Sequence, residues 1–188
     1  MDPTKLLEAD HRMAEALFDR IEKAEGDERM SLVQELHTAL TGHMELEERV
    51  LYPAMAPVTG DEEVQEGNTE HDLARKAFQE VLALAPGDPG FGAAFEAAKA
   101  GIVHHVEEEE GEVFPKLRKD GQQVLEEIAT PFMQTRMELG LPMDAEALAA
   151  ASTKEELLEE ARSVGVEGTA SMTKTDLAEA LAEKMASM

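Results

Sequence analysis

The segment HMELEERVLYP at residues 43–53 returns 62 positions later as HVEEEEGEVFP at 105–115. His43 falls on His105, and Glu45, Glu47 and Glu48 fall on Glu107, Glu109 and Glu110. Tyr52 falls on Phe114 and Pro53 on Pro115. A slide of 60 lays His11 on His71 and Phe18 on Phe78. A chain repeated in this way reads as two helical hairpins. Each carries one histidine on its first helix and His-x-x-x-Glu on its second.

The rest of the chain agrees with helices. Of its 188 residues 43% are hydrophobic, and these are Ala, Leu, Val and Met with few aromatics; glutamate is abundant. Asp2-Pro3 reads as an N-cap and first helical residue, with apolar positions recurring at helical spacing until Gly26. A second helix is predicted from about Asp27 toward Met55, and a third over 62–85, with Leu73, Ala77, Phe78, Val81 and Leu82 on one side. PGDPG at 86–90 is a turn, and a fourth helix runs from 91 to Leu117. Residues 120–139 form a fifth, interrupted or kinked at Pro131. Long helices with short turns predict an all-α, up-down antiparallel four-helix bundle with an extra helix. The bundle spans 1–139, with its core about 4–118. Residues 140–152 read as a linker or weak helix. A small helix–extended–helix module follows over 153–188, each helix opening on a capping-box pattern, Thr153 to Glu156 and Thr173 to Asp176.

Charge and composition remove several classes. The chain has no cysteine, which excludes disulfides, iron–sulfur clusters and thiolate metal sites. Its net charge of -24 disfavours phosphate backbones and anionic membrane surfaces. MDPTKLLEADHRM has no apolar core of a secretory signal, and no stretch is apolar enough to span a membrane, so the cytoplasm is the expected location.

Helix geometry selects among the glutamates. Position i+4 lies about 40° from position i and one turn along. Glu47 therefore shares a face with His43, and Glu109 with His105. Glu45, Glu48, Glu107 and Glu110 point elsewhere and fit a solvated face, with Glu108 left as a second inward candidate. A carboxylate in a helical core is costly unless something neutralises it. Two glutamates facing four histidines call for a cation, and imidazole with carboxylate suits iron, manganese or zinc. His104 and Glu108 form a rival i, i+4 pair rotated about 100° from His105/Glu109. The aromatic and proline of the repeat favour the His105 register, leaving His104 as a boundary residue or a donor behind the ligands. His37 lies off the His43 face and reads as surface. Tyr52 and Phe114 read as packing.

On these residues the chain resembles the hemerythrin-like HHE cation-binding family over roughly 4–118: His11, His43/Glu47, His71 and His105/Glu109, with Leu51-Tyr52-Pro53 and Val113-Phe114-Pro115 behind each pair. The resemblance implies a non-haem centre of two iron ions, oxo- or hydroxo-bridged, with manganese or zinc as less favoured metals. It implies binding of, or reaction with, O2, peroxide or nitric oxide, or a role as an iron or oxygen sensor. Oxygen-carrying members have a further histidine one turn after the third-helix histidine. Here that position is Arg75, a departure from simple O2 carriage, with Glu8, Glu15 and Glu70 as substitute donors. TKEELLEEA and MTKTDLAEAL are similar to the Rho N-terminal-like and SAP-like modules often associated with nucleic acid. Residues 151–188 carry eight acidic against four basic side chains, which favours a protein partner or a structural tail instead.

Overall fold

The computed structural model describes residues 1–187, and every regular element among them is helical. The order is α1 (Pro3–Lys23), α2 (Gly26–Leu46), α3 (Tyr52–Thr59), α4 (Asp61–Leu82) and α5 (Phe91–Glu108). There follow α6 (Phe114–Asp120), α7 (Gln122–Glu138), α8 (Ala145–Ala151), α9 (Lys154–Ser163) and α10 (Lys174–Ala186). Asp2 caps α1 by accepting from the Thr4 amide at 3.0 Å, and Pro3 gives up no hydrogen bond at the first position. Gly26, at φ +55, supplies the left-handed residue that turns the chain into α2. No helix among the described residues is long and apolar enough to cross a membrane.

The expected second and fourth helices are not regular throughout. Each widens into one π-helical turn, Glu47–Leu51 after α2 and Glu109–Val113 after α5. The cause is proline. Pro53 and Pro115 lack an N–H, and their rings would clash with the carbonyl four residues back in a regular helix. The residue before each proline bonds five back instead, Tyr52 to Glu47 and Phe114 to Glu109. Both π turns begin on the glutamate of a His-x-x-x-Glu pair.

Helix α1 packs on α2 and α4 on α5, and the two hairpins meet through α2 and α4. Two apolar clusters fill the interior. One contains Leu17, Phe18, Leu36, Phe78 and Phe95. The other contains Leu7, Leu46, Phe114 and Phe132 and continues into Leu148, Leu157 and Leu177. Leu73, expected on the packed side of α4, is exposed; the buried face of that helix is Gly67, His71, Ala74, Phe78 and Val81. The alanine-rich stretch forms α8, whose Leu148 is fully buried, and α8 packs on α1 and α10. Both C-terminal capping boxes form. Helix α7 continues through Pro131.

Candidate metal centre

The layer between the two apolar clusters is polar. His11, His43, Glu47, His71, His105 and Glu109 are all at most 5% exposed. They come from α1, α2, α4, α5 and the two π turns. His11 and His43 bring their Nε2 atoms within 3.2 Å of each other, and His71 and His105 within 3.1 Å. The glutamates lie between these pairs. Glu47 Oε2 is 3.4 Å from His43 Nε2 and 3.3 Å from His71 Nε2. Glu109 Oε2 is 3.4 Å from His11 Nε2 and 3.7 Å from His105 Nε2. Each carboxylate thus touches one histidine of each pair.

The outward nitrogens are held as systematically. His43 Nδ1 lies 3.2 Å from Asp10, His11 Nδ1 2.8 Å from Glu110, His71 Nδ1 2.9 Å from Glu48, and His105 Nδ1 2.8 Å from Glu70. An ionised carboxylate can only accept, so each Nδ1 carries a proton, and with a metal bound each Nε2 would turn a lone pair inward. The pattern obeys the repeat: Asp10 and Glu70 precede the first-helix histidines, and Glu48 and Glu110 follow the two inner glutamates. Glu48 and Glu110 are therefore not the solvated residues the helical wheel suggested. About 140° around from its own histidine, each is half-buried against the neighbouring hairpin. Arg75, in place of a further ligand, donates to Glu48 at 2.8 Å, and Arg12 donates to Glu110 at 2.5 Å. Glu8 pairs with Arg118 and Lys5, and Glu15 with Arg12, so neither faces the centre. Glu108 pairs with the exposed His104. His37 is half-buried against Phe78.

Arg136, from α7, has no counterpart in the repeat. It is fully buried and grips Asp10 with two guanidinium nitrogens, at 2.6 and 2.5 Å, while also donating to the Pro142 carbonyl at 2.6 Å. Phe114 stacks on His11 at 5.9 Å between ring centres, and Tyr52 on His71 at 5.2 Å. The Tyr52 hydroxyl reaches His71 Nε2 at 3.1 Å. It fits because residue 67 is glycine: a Cβ there would lie 2.6 Å from that oxygen.

All four carboxylate oxygens of Glu47 and Glu109 are buried and find no hydrogen-bond partner among the described residues. Burying such groups unpaired is expensive, and a cation held among these carboxylates and imidazoles would offset that cost. In the metal-free protein the cluster shares its protons unevenly. Burial, then the charge of Glu109, pushes Glu47 up to about 8. Burial acts on Glu109 too, but His105, His11 and His43 outweigh it and hold that carboxyl at about 2. Burial works against charge on His11 and His105, yet the surrounding carboxylates raise them to about 10 and about 9. His71 is lowered to about 4 by burial and by the charge of His105.

Residues 2–117 match the Hemerythrin HHE cation binding domain. The chain belongs to this family. Membership implies a metal-binding helical domain, and the buried His/Glu groups are able to hold a metal. A DNA nickase of Nostoc sp. is 23% identical over 152 residues, a stretch that covers 80% of this chain and 43% of the relative. The chain therefore spans less than half the length of that curated relative. No solved structure matches it significantly.

Proposed function

We propose that this hemerythrin HHE chain is a non-haem di-iron protein that binds or reacts with O2, peroxide or nitric oxide, its ligands carried by an up-down antiparallel four-helix arrangement. The observation that carries the reading is that Glu47 and Glu109 each touch one histidine from both His pairs while lacking any other partner. His11 and His43 would hold one iron, His71 and His105 the other, with Glu47 and Glu109 bridging. Bound iron would supply the redox electrons and the open positions at which a small ligand attaches.

The chain's own residues do the rest. Asp10, Glu48, Glu70 and Glu110 orient the imidazoles and raise their basicity. Phe114 and Tyr52 wall the histidines off from water. The site has four histidines where a carrier would have five, because Arg75 turns to Glu48. That favours reaction or sensing over reversible carriage. The test is anaerobic loading with ferrous iron, followed by stopped-flow addition of O2, peroxide or nitric oxide. A spectral change with each turnover supports the reading; an iron-loaded protein inert to all three removes it.

A second reading, an iron or oxygen sensor that signals through its C-terminal part, is favoured by one chain of contacts. His43, Asp10, Arg136 and the Pro142 carbonyl run in hydrogen-bonded series from the centre to the segment before α8. Ligand-dependent exposure of residues 140–187 without turnover would select it. The Rho-like assignment of 153–188 belongs to this reading, with a protein as the preferred partner. DNA cleavage as in the Nostoc relative is less favoured, because a net charge of -24 repels phosphate backbones.

A further inference from the structure

The repeat that builds the centre breaks down on one side of it, and the break is chemical. Sliding by 60 or 62 residues matches Glu63 with Pro3, Glu66 with Leu6, Gly67 with Leu7, His104 with Gly42 and Glu108 with Leu46. The ligands are kept, while the residues around them are exchanged. On the α1–α2 side Leu6, Leu7 and Leu46 are buried in the apolar cluster shared with the C-terminal helices, and Leu141 packs on Gly42. Cavities open on the α1 side too, one of them lined by Asp10 and Glu110, but neither Glu47 nor Glu109 lines them. On the α4–α5 side the matching positions are carboxylates, a histidine and a glycine, and a narrow cavity opens there.

The cavity runs from exposed to buried groups. Glu63, Glu66 and Glu108 stand at its mouth, Gly67 and Tyr52 form a wall, and Glu109 and His105 form its floor. Glu109 is 3% exposed, and neither of its oxygens has a hydrogen-bond partner among the described residues. Beside the mouth, His104 Nε2 lies 3.4 Å from Glu108 Oε1 and 3.7 Å from Glu70 Oε1, close enough for the three residues to share one cation. Glu70 belongs to both layers, since its other oxygen lies 2.8 Å from Nδ1 of the inner His105. Gly67 matters twice: a side chain there would press on Tyr52 and narrow the passage.

We propose that Glu63, Glu66, Glu70, His104 and Glu108 form a cation-transit site, which captures hydrated divalent metal and passes it to Glu109 through the α4–α5 face. The inference rests on the metal-centre reading above. Three or more carboxylates with an imidazole suit a first-row divalent ion held weakly at an exposed site. Local negative charge around a cleft raises the encounter rate with cations. The α4–α5 cavity is lined by Glu109 and His105 themselves, which makes that face the route to the unpartnered glutamate.

The test follows loading of the full-length, metal-free protein with cobalt(II) by stopped-flow absorbance, with metal per chain measured at the end. Glu66→Gln/His104→Gln/Glu108→Gln should slow loading by ~10-fold and leave the final cobalt content unchanged. Glu126→Gln/Glu127→Gln removes the same charge from the exposed face of α7 and should load at the parent rate. Should the triple variant lose its helical circular dichroism, Glu63→Gln/Glu66→Gln provides the same comparison. Equal rates for mouth and control variants, whether both unchanged or both slowed, would overturn the transit site and leave the centre standing. A parent protein that takes up no cobalt would instead remove the centre, and the transit site with it.

Discussion

Replacing Arg136 by methionine should damage both stability and metal binding, although Arg136 lies outside the matched family region. In the folded protein Asp10 is 6% exposed, and its partners are the Arg136 guanidinium and His43 Nδ1. Burial by itself raises the Asp10 carboxyl; Arg136 and then His43 overcome this and hold it at about 2. Removing one partner of a buried ion pair costs about 3–5 kcal/mol, because the other charge is left uncompensated. For a chain of this size each kcal/mol moves the midpoint by about 2–4 °C, so Arg136→Met should lower Tm by roughly 6–20 °C. Thermal unfolding followed by circular dichroism reads this directly. Asp10 would then take up a proton and accept from His43 Nδ1–H only as a weaker, neutral carboxyl, so metal affinity should fall by about 10–100-fold in a chelator competition. The double variant Arg136→Met/Asp10→Asn should recover much of the lost stability, since no buried charge is stranded. An Arg136→Met protein within a degree of the parent, with unchanged affinity, would refute the reasoning.

Three further outcomes are expected. Glu48→Gln and Glu110→Gln should each weaken metal binding by about 10–100-fold in the same competition, because each frees one histidine to rotate or change tautomer. The metal-free protein should lose stability as pH rises from 6.5 through 10. His11 and His105 sit at about 10 and about 9 against an ordinary 6.5, and Glu47 at about 8 against 4.5, so all three contribute fully only at lower pH. His71, Asp10 and Glu109 are shifted down, and their contributions fall away only on the acid side. A melting temperature that climbs between pH 7 and 10 would contradict this. Gly67→Ala should cost about 1–3 kcal/mol by crowding Tyr52, and Tyr52→Phe in that background should return part of it in denaturant titrations.

The six inner residues were legible because the repeat marks them twice and the i, i+4 rule puts each glutamate beneath its own histidine. The outer carboxylates were less so. A helical wheel shows a residue's angle on its own helix but not what stands opposite, so Glu48 and Glu110 looked solvated while facing His71 and His11. A signal for Asp10 and Glu70 was present, since an acid precedes the first-helix histidine in both halves. The π turns could have been inferred from Pro53 and Pro115, placed where a regular helix has no room for the ring. Leu73 was misplaced because apolarity alone does not fix which side of α4 is buried. Arg136 gave no local sign: an arginine in a helical stretch is ordinary, and only the packing of α7 brings it to Asp10. The alanine-rich stretch read as a linker or a weak helix because small side chains bury little surface of their own, whereas Leu148 anchors it in the shared core.

The central claim is that two bis-histidine sites share Glu47 and Glu109. It is tested most directly by counting metal per chain by plasma mass spectrometry after iron reconstitution, alongside the visible spectrum. The chain has no tryptophan and one tyrosine, so protein absorbance hides little of a ferric band. The account predicts two irons per chain with charge-transfer absorption, both lost in His43→Ala/His105→Ala. No bound metal after reconstitution, or the same metal content in that double variant, would contradict it.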